Sequence, residues 1–281
     1  MNLILIGKGS ILFAIALEIQ KYSDLNLKKI LWDNKSNNKN DLYFYKNLKN
    51  RFNIYKINDI NHPKNKKIID NDIDYILSVN NTQIFDKQLV KKFQRKIINY
   101  HYSLIPSYKG LYSCTKVIMK NEKFTGITWH VVTNKIDKGP IIFQKKIVIN
   151  KNDNAAKLIM KLNYKCIDTL PIFIKNLKKM NFKKTPKNTK DFSINLKKNN
   201  FQIINFGMSS EKILRLFRAF DYFPFRSPLP NLKIYLNKYC EIKNIKIVRK
   251  PVKKFNNFLR INAKEFIIKT LDHKYLKVNV V

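Results

Sequence analysis

The first 21 residues, "MNLILIGKGSILFAIALEIQK" (1–21), set the fold class. Residues 2–6 are an apolar run of strand length, as expected for a strand buried on both faces. Lys8-Gly9-Ser10 interrupts it after too few apolar residues for a membrane span or a secretory leader. The chain resumes as "ILFAIALEIQK", a helix of 11 residues. Strand, glycine turn and helix begin an α/β unit, and the pattern recurs. "KKILWD", "IYKIND", "DYILSV" and "KIINYH" read as strands, with "YFYKNLKNRF" and "DKQLVKKFQ" as helices among them. Residues 111–122 favour a helix, "GITWHVV" alternates as a strand, and "IDKGPIIFQKKIVI" is a turn followed by a strand. Residues 153–180 read as one long helix. Strands alternating with helices call for a mainly parallel α/β sheet.

A boundary follows. "KKMNFKKTPKNTKDFSINLKKNN" is polar, basic and short of aliphatic residues, as a linker should be. Residues 1–180 are expected as one domain, 181–199 as a linker and 200–281 as a second, smaller domain. That domain opens with "SSEKILRLFRAFDYF", a helix capped by Ser209 or Ser210 with Glu211 in its first turn. "FPFRSPLPN" breaks the chain with three prolines. The short β-like runs "KIYLN", "IKNIKIV", "FLRINA", "FIIKTL" and "YLKVNVV" are spaced like a small barrel.

The net charge is +37 over 281 residues. Clustered Lys and Arg would imply a nucleic-acid or acidic-membrane partner, because they neutralise phosphates and release counterions. Here the lysines are scattered over the whole chain, which favours compositional bias as the main cause. The three cysteines, Cys114, Cys166 and Cys240, have neither CxxC nor Cys/His ligand spacing. A disulfide scaffold and a metal site are both disfavoured, no membrane partner is expected, and a cytoplasmic location fits.

Two groups of residues are candidates for chemistry. Gly7 and Gly9 supply two glycines of a dinucleotide fingerprint, with Asp33 farther on, but Leu12 stands where the third glycine belongs. The stronger group lies downstream in "NYHYSLIPSYKG" (99–110). In a strand, residues i and i+2 share a face, so Asn99 and His101 would project together at a strand's carboxyl end. Open α/β sheets keep their ligand crevices there. His130 closes "GITWHVV", and Asp137 occupies the Asp-x-Gly turn of "NKIDKGP".

"INYHYSLIPSYKG" followed by "GITWHVVTNKIDKGPII" resembles the formyltransferase superfamily that uses 10-formyltetrahydrofolate. This superfamily includes glycinamide ribonucleotide, methionyl-tRNA and sugar-amine enzymes. Its pattern is Asn-x-His, then Ser-Leu-Leu-Pro, then an aspartate in an Asp-x-Gly turn; here Ile105 replaces the second leucine. The resemblance covers residues 1 to 180 and implies a Rossmann-like catalytic domain. More distantly, the β-rich tail resembles the C-terminal domain of the methionyl-tRNA branch. The implied reaction moves a formyl group from 10-formyltetrahydrofolate to a primary amine, with no metal. Asn99 and His101 would donate to the oxyanion, and Asp137 would move the protons if burial raised its pKa toward neutrality. Ser103 and His130 would orient substrate or Asp137. The folate slot would be formed by Gln83, Ile84 and Phe85 with the Asp137 loop, lined by Leu104.

The acceptor is read from the departures. Domain layout, basic surface and length favour methionyl-tRNA. Yet "WDNKSNNKNDLYF" has no arginine where the tRNA branch carries an Arg/Gly-rich loop, and "KGLYSCTKVIMKN" replaces Arg-Gly-x-x-Pro. The latter is similar to enzymes that formylate carrier-bound amino acids or sugar amines. A different class of reading is a basic nucleic-acid-binding protein on an inactive scaffold, which the complete Asn-His-Asp set disfavours. The linker gives a direct expectation: limited proteolysis should cut within 181–199 and leave a folded fragment of roughly 180 residues. Cutting inside 85–140 would overturn that boundary.

Overall fold

The structure, a computed structural model, describes residues 1–35, 39–69, 71–186, 203–225 and 227–281. The chain forms two compact units. The first comprises Met1–Ser113, Phe124–Val148 and, of the later chain, 160–186; the second comprises Cys114–Lys123, Ile149–Ile159 and 203–281. From residue 187 onward the expected linker lies outside the described residues.

The first unit is built on β1 (Asn2–Gly7), whose Leu3, Ile4, Leu5 and Ile6 are at most 1% exposed. Such burial on both faces is what a central parallel strand requires. The helix α1 (Gly9–Ile19) follows, burying Ile11, Leu12, Ile15, Ala16 and Ile19, a 3–4-residue repeat along one face. Then come β2 (Asn26–Asp33), α2 (Lys39–Lys49), β3 (Ile54–Ile57), α3 (Pro63–Ile68), β4 (Tyr75–Val79), α4 (Lys87–Lys92) and β5 (Ile97–His101). Two further strands, β6 (Phe124–Val131) and β7 (Ile141–Val148), complete a sheet of order β3-β2-β1-β4-β5-β6-β7. The four pairings from β3 to β5 are parallel, and β5–β6 and β6–β7 are antiparallel. A mainly parallel α/β sheet is therefore present, with an antiparallel edge.

The expected single helix over 153–180 is instead two, α6 (Ala155–Asp168) and α7 (Leu170–Lys178). The break has a cause. Pro171 sits in the first turn of α7, where its missing N–H is harmless but would break a continuous helix. The helix α5 (Ser113–Met119) is shorter than the expected 111–122.

The second unit contains β8 (Ile203–Ile204), α8 (Ser210–Phe220), β9 (Lys233–Tyr235), β10 (Tyr239–Val248), β11 (Phe258–Arg260), β12 (Glu265–Lys269) and β13 (Tyr275–Val280). Ser209 caps α8 by accepting from Lys212 N–H, while the Ser210 hydroxyl donates to Asp272. The five β-like runs of the tail are all strands, joined by the two-residue β8 that the sequence reading missed. Their order, β11-β12-β13-β10-β9-β8, leaves the first and last strands unpaired with one another. The sheet is six-stranded, and barrel closure is not seen among the described residues. None of their helices is long and apolar enough to cross a membrane.

Strand order reverses between β1 and β4, and Gly7 lies at that point with φ 141°. A Cβ there would fall 1.7 Å from Val79 O, a backbone atom of the neighbouring strand. Gly7→Ala is expected to destabilise the protein by about 2–4 kcal/mol in urea unfolding, through strain and strand displacement. An unchanged midpoint would mean that the β1–β4 spacing is not fixed by this contact.

Candidate active site

Four of the expected residues come together. The pairing of β5 with β6 places Asn99 opposite His130, and His101 lies two residues on along the same strand. Asp137 arrives from the β6–β7 turn. Its carboxylate Oδ2 lies 3.4 Å from His101 Nδ1 and its Oδ1 lies 3.3 Å from His130 Nε2. Gly110 N–H donates to Oδ2 at 2.7 Å. Asn99 Nδ2 lies 3.2 Å from His130 Nε2, and the Ser78 hydroxyl donates to Asn99 Oδ1 at 3.0 Å.

The turn is held by its own sequence. Asp137 has φ 49°, in the left-handed region that Asp tolerates better than most residues. Two residues on, a Cβ at Gly139 would fall 1.8 Å from Val131 O, so only glycine lets the loop close on β6. Val131 N–H donates to Pro140 O at 2.8 Å and fastens the same loop.

Hydrogen-bond partners indicate where the protons sit. His130 Nδ1 faces Val131 O at 3.0 Å, and its Nε2 faces both Asp137 Oδ1 at 3.3 Å and Asn99 Nδ2 at 3.2 Å: with Nε2 protonated it donates to Asp137, and with Nε2 bare it accepts from Asn99. His101 Nε2–H donates to Tyr108 O at 3.1 Å, with the Ser113 hydroxyl 3.3 Å away. Its Nδ1 faces Asp137, so both nitrogens of His101 look onto oxygen acceptors. That environment suits an imidazolium.

Burial pushes the Asp137 carboxyl up. The hydrogen bond from His130, the charges of His101 and His130, and the Gly110 N–H together outweigh it, holding the carboxyl well below its ordinary range. This reverses the expectation of a pKa raised toward neutrality. The sequence reading counted burial and did not count the groups that converge on the carboxylate. Asp137 is an anion at neutral pH.

The expected folate-slot residues are placed differently. Gln83 is buried, and its side chain is occupied: Oε1 accepts from Ile60 N–H at 2.6 Å and Nε2–H donates to Asp33 at 2.9 Å. Ile84 is exposed, whereas Phe85 packs against the core of the first unit. Leu104 lies against Gly126, filling the space a Cβ would need. The Ser103 hydroxyl donates to Ser107 O at 2.7 Å and so braces the loop after β5. Asp33 itself is fully buried and accepts from Thr82 N–H, the Thr82 hydroxyl and Gln83, with Lys8 Nζ at 3.7 Å. An acid reading a dinucleotide ribose would have to face an open crevice; this one is consumed within the protein. Among the described residues no group of three or more His, Cys, Asp or Glu could hold a metal ion.

The sequence reading missed Ser78, Gly110 and Ser113. Gly110 contributes through its backbone, which no residue type announces. Ser78 and Ser113 become legible only once the β4–β5 register and the loop after β5 are known.

Residues 35–171, which contain this whole cluster, match the formyl transferase family. The chain is similar to methionyl-tRNA formyltransferase of Thermodesulfovibrio yellowstonii, 31% identical over 138 residues that cover 49% of this chain and 44% of that protein. It is also similar to methionyl-tRNA formyltransferase of Buchnera aphidicola subsp. Baizongia pistaciae, 27% identical over 71% of this chain and 66% of the relative. Less than two thirds of either relative is thus spanned. Among solved structures, the N-formyltransferase from Helicobacter canadensis in complex with folinic acid and dTDP-3-aminofucose aligns with a TM-score of 0.66. It is 22% identical, and the match covers 99% of both chains, which establishes a shared fold.

A carboxyl held low only in the folded chain contributes stability above the ordinary carboxylate range, at about pH 4. That stability is lost as pH falls toward the folded value. Asp137→Asn should therefore flatten the acid side of the melting-temperature profile below about pH 5. An acid limb as steep as that of the unsubstituted protein would show that the His-Asp cluster does not hold the carboxylate in this way.

Proposed function

We infer that this chain is an N-formyltransferase that moves the formyl group of 10-formyltetrahydrofolate to a primary amine. The observation that carries the reading is the convergence of His101 and His130 on the Asp137 carboxylate, with Asn99 beside His130, inside the stretch that matches the formyl transferase family. Formyl transfer needs donors where the formyl oxygen becomes negative, and a base for the ammonium proton of the attacking amine. Asn99 has one Nδ2 proton on His130, and among the described residues its second has no other partner. That proton is the donor we assign to the oxyanion, while the His101 ring, facing Tyr108 O and Asp137, supplies positive charge beside it. The ionised Asp137 is the proton acceptor, directly or through water, and the two histidines hold it in place. In this reading Asp137 is charged at rest and takes a proton only as the amine loses one. The folate is received by the backbone of residues 83–85, by Leu104 and by the Asp137 loop, since the Gln83 side chain is already engaged.

The acceptor we favour is an amino sugar on a nucleotide. Support comes from the solved Helicobacter canadensis enzyme, bound to folinic acid and dTDP-3-aminofucose, which matches this chain over nearly its whole length. Methionyl-tRNA is the second reading, supported by the curated relatives that act under that name.

The test is consumption of 10-formyltetrahydrofolate with three acceptors: dTDP-linked amino sugars, charged methionyl-tRNA and an aminoacylated carrier domain. Turnover is expected with the amino sugars. Asn99→Ala, His101→Asn and Asp137→Asn should each lower turnover by about 100-fold to 1000-fold while changing folate binding less. Near-normal transfer by His101→Asn and Asp137→Asn would sink the mechanism. Transfer to methionyl-tRNA alone would replace the favoured acceptor.

A further inference from the structure

Asn99 can help an oxyanion only if its amide nitrogen, and not its carbonyl oxygen, faces the reacting group. The two ends of a carboxamide have nearly the same shape, so packing alone does not choose between them. The choice here is made by hydrogen bonds across three strands. The parallel β4–β5 pairing sets Ser78 beside Asn99, and the antiparallel β5–β6 pairing sets Asn99 beside His130. The three side chains form a row on one face of the sheet.

The polarity of the row runs from one end. In the ring form that carries its single proton on Nδ1, directed at Val131 O 3.0 Å away, Nε2 accepts from Asn99 Nδ2 at 3.2 Å; the imidazolium would instead turn Nε2–H toward Asp137 Oδ1 at 3.3 Å. With the nitrogen assigned to His130, Asn99 Oδ1 is left facing β4. The Ser78 hydroxyl donates to that oxygen at 3.0 Å. Ser78 is 1% exposed, and the Asn99 oxygen is its hydroxyl's partner. Without that hydroxyl the oxygen would be left without a donor, and turning the amide over would cost less.

We propose that Ser78 is a positioning residue that fixes the Asn99 carboxamide, aiming one Nδ2 proton at His130 and the other at the reacting formyl oxygen. The inference rests on the formyl-transfer reading for its catalytic consequence and on the hydrogen-bond row for its geometry. Ser78 touches no reactant. It acts through Asn99 alone, so its effect must vanish when Asn99 is removed.

Two measurements test this. The first needs no turnover: with only four histidines in the chain, ¹⁵N spectra of histidine-labelled protein can resolve the His130 ring. Ser78→Ala should move the His130 Nε2 resonance as its amide donor loosens, leaving the His62 and His273 resonances in place. An unmoved His130 resonance would overturn the proposal whether or not the chain is an enzyme. The second is a kinetic cycle with whichever amine the acceptor panel identifies. Ser78→Ala should lower kcat by about 3-fold to 10-fold, the size of one lost neutral hydrogen bond, with KM for the folate unchanged. On an Asn99→Ala background the same substitution should have no further effect. A full additional loss on that background, or a change confined to KM, would overturn it. If no amine were formylated at all, the functional reading would fail while the spectroscopic result still decided the geometry.

Discussion

A buried carboxylate is tolerated only where donors and positive charge meet it, and Asp137 is the buried anion on which the site depends. Three separate parts of the chain answer that demand: the end of β5 through His101, β6 through His130, and the loop after β5 through Gly110 N–H. Removing any one would leave the carboxylate under-satisfied. The same three contacts fix where the Asp137 loop lies. The contacts that satisfy the carboxylate are thus the contacts that place the loop.

Sheet topology makes the convergence possible. Were the sheet parallel throughout, the strand beside β5 would point its carboxyl end the same way, and a crossover would have to cover the intervening space. The antiparallel return of β6 instead brings His130, late in its strand, opposite Asn99, midway along β5. The turn that leaves β6 then drops Asp137 onto His130 and His101. Gly139 completes the arrangement, because any side chain there would push the loop off Val131 O.

Much of this was legible in the sequence, for identifiable reasons. The period-2 relation of Asn99 and His101, the apolar runs of the parallel strands and the Asp-x-Gly turn are local signals, and local signals survive without coordinates. The tail's strands were legible for the same cause. What escaped depends on distant partners. Ser78 is an ordinary strand serine until β4 is known to lie beside β5. The ionisation of Asp137 was misjudged because burial can be guessed from a motif, whereas the count of converging donors cannot. That the Gln83 side chain joins Ile60 to Asp33 likewise rests on partners distant in sequence. The helix break at Pro171 could have been read locally, since proline punctuates helices by its own chemistry.

The net charge of +37 also falls into place once the site is described. In the His-Asp cluster the carboxylate of Asp137 is met by His101 and His130. The field of the lysines acts at longer range, raising encounter rates with anions and weakening as salt is added. Both acceptors under consideration carry phosphate, one as a nucleotide sugar and the other as a transfer RNA, so attraction alone favours neither. The number of phosphates engaged is what differs: a diphosphate gives a shallow dependence of affinity on salt and a tRNA backbone a steep one. On the proposed reading, charge brings an anionic acceptor to the protein, while its identity is decided by what fits beside Asn99 and Asp137.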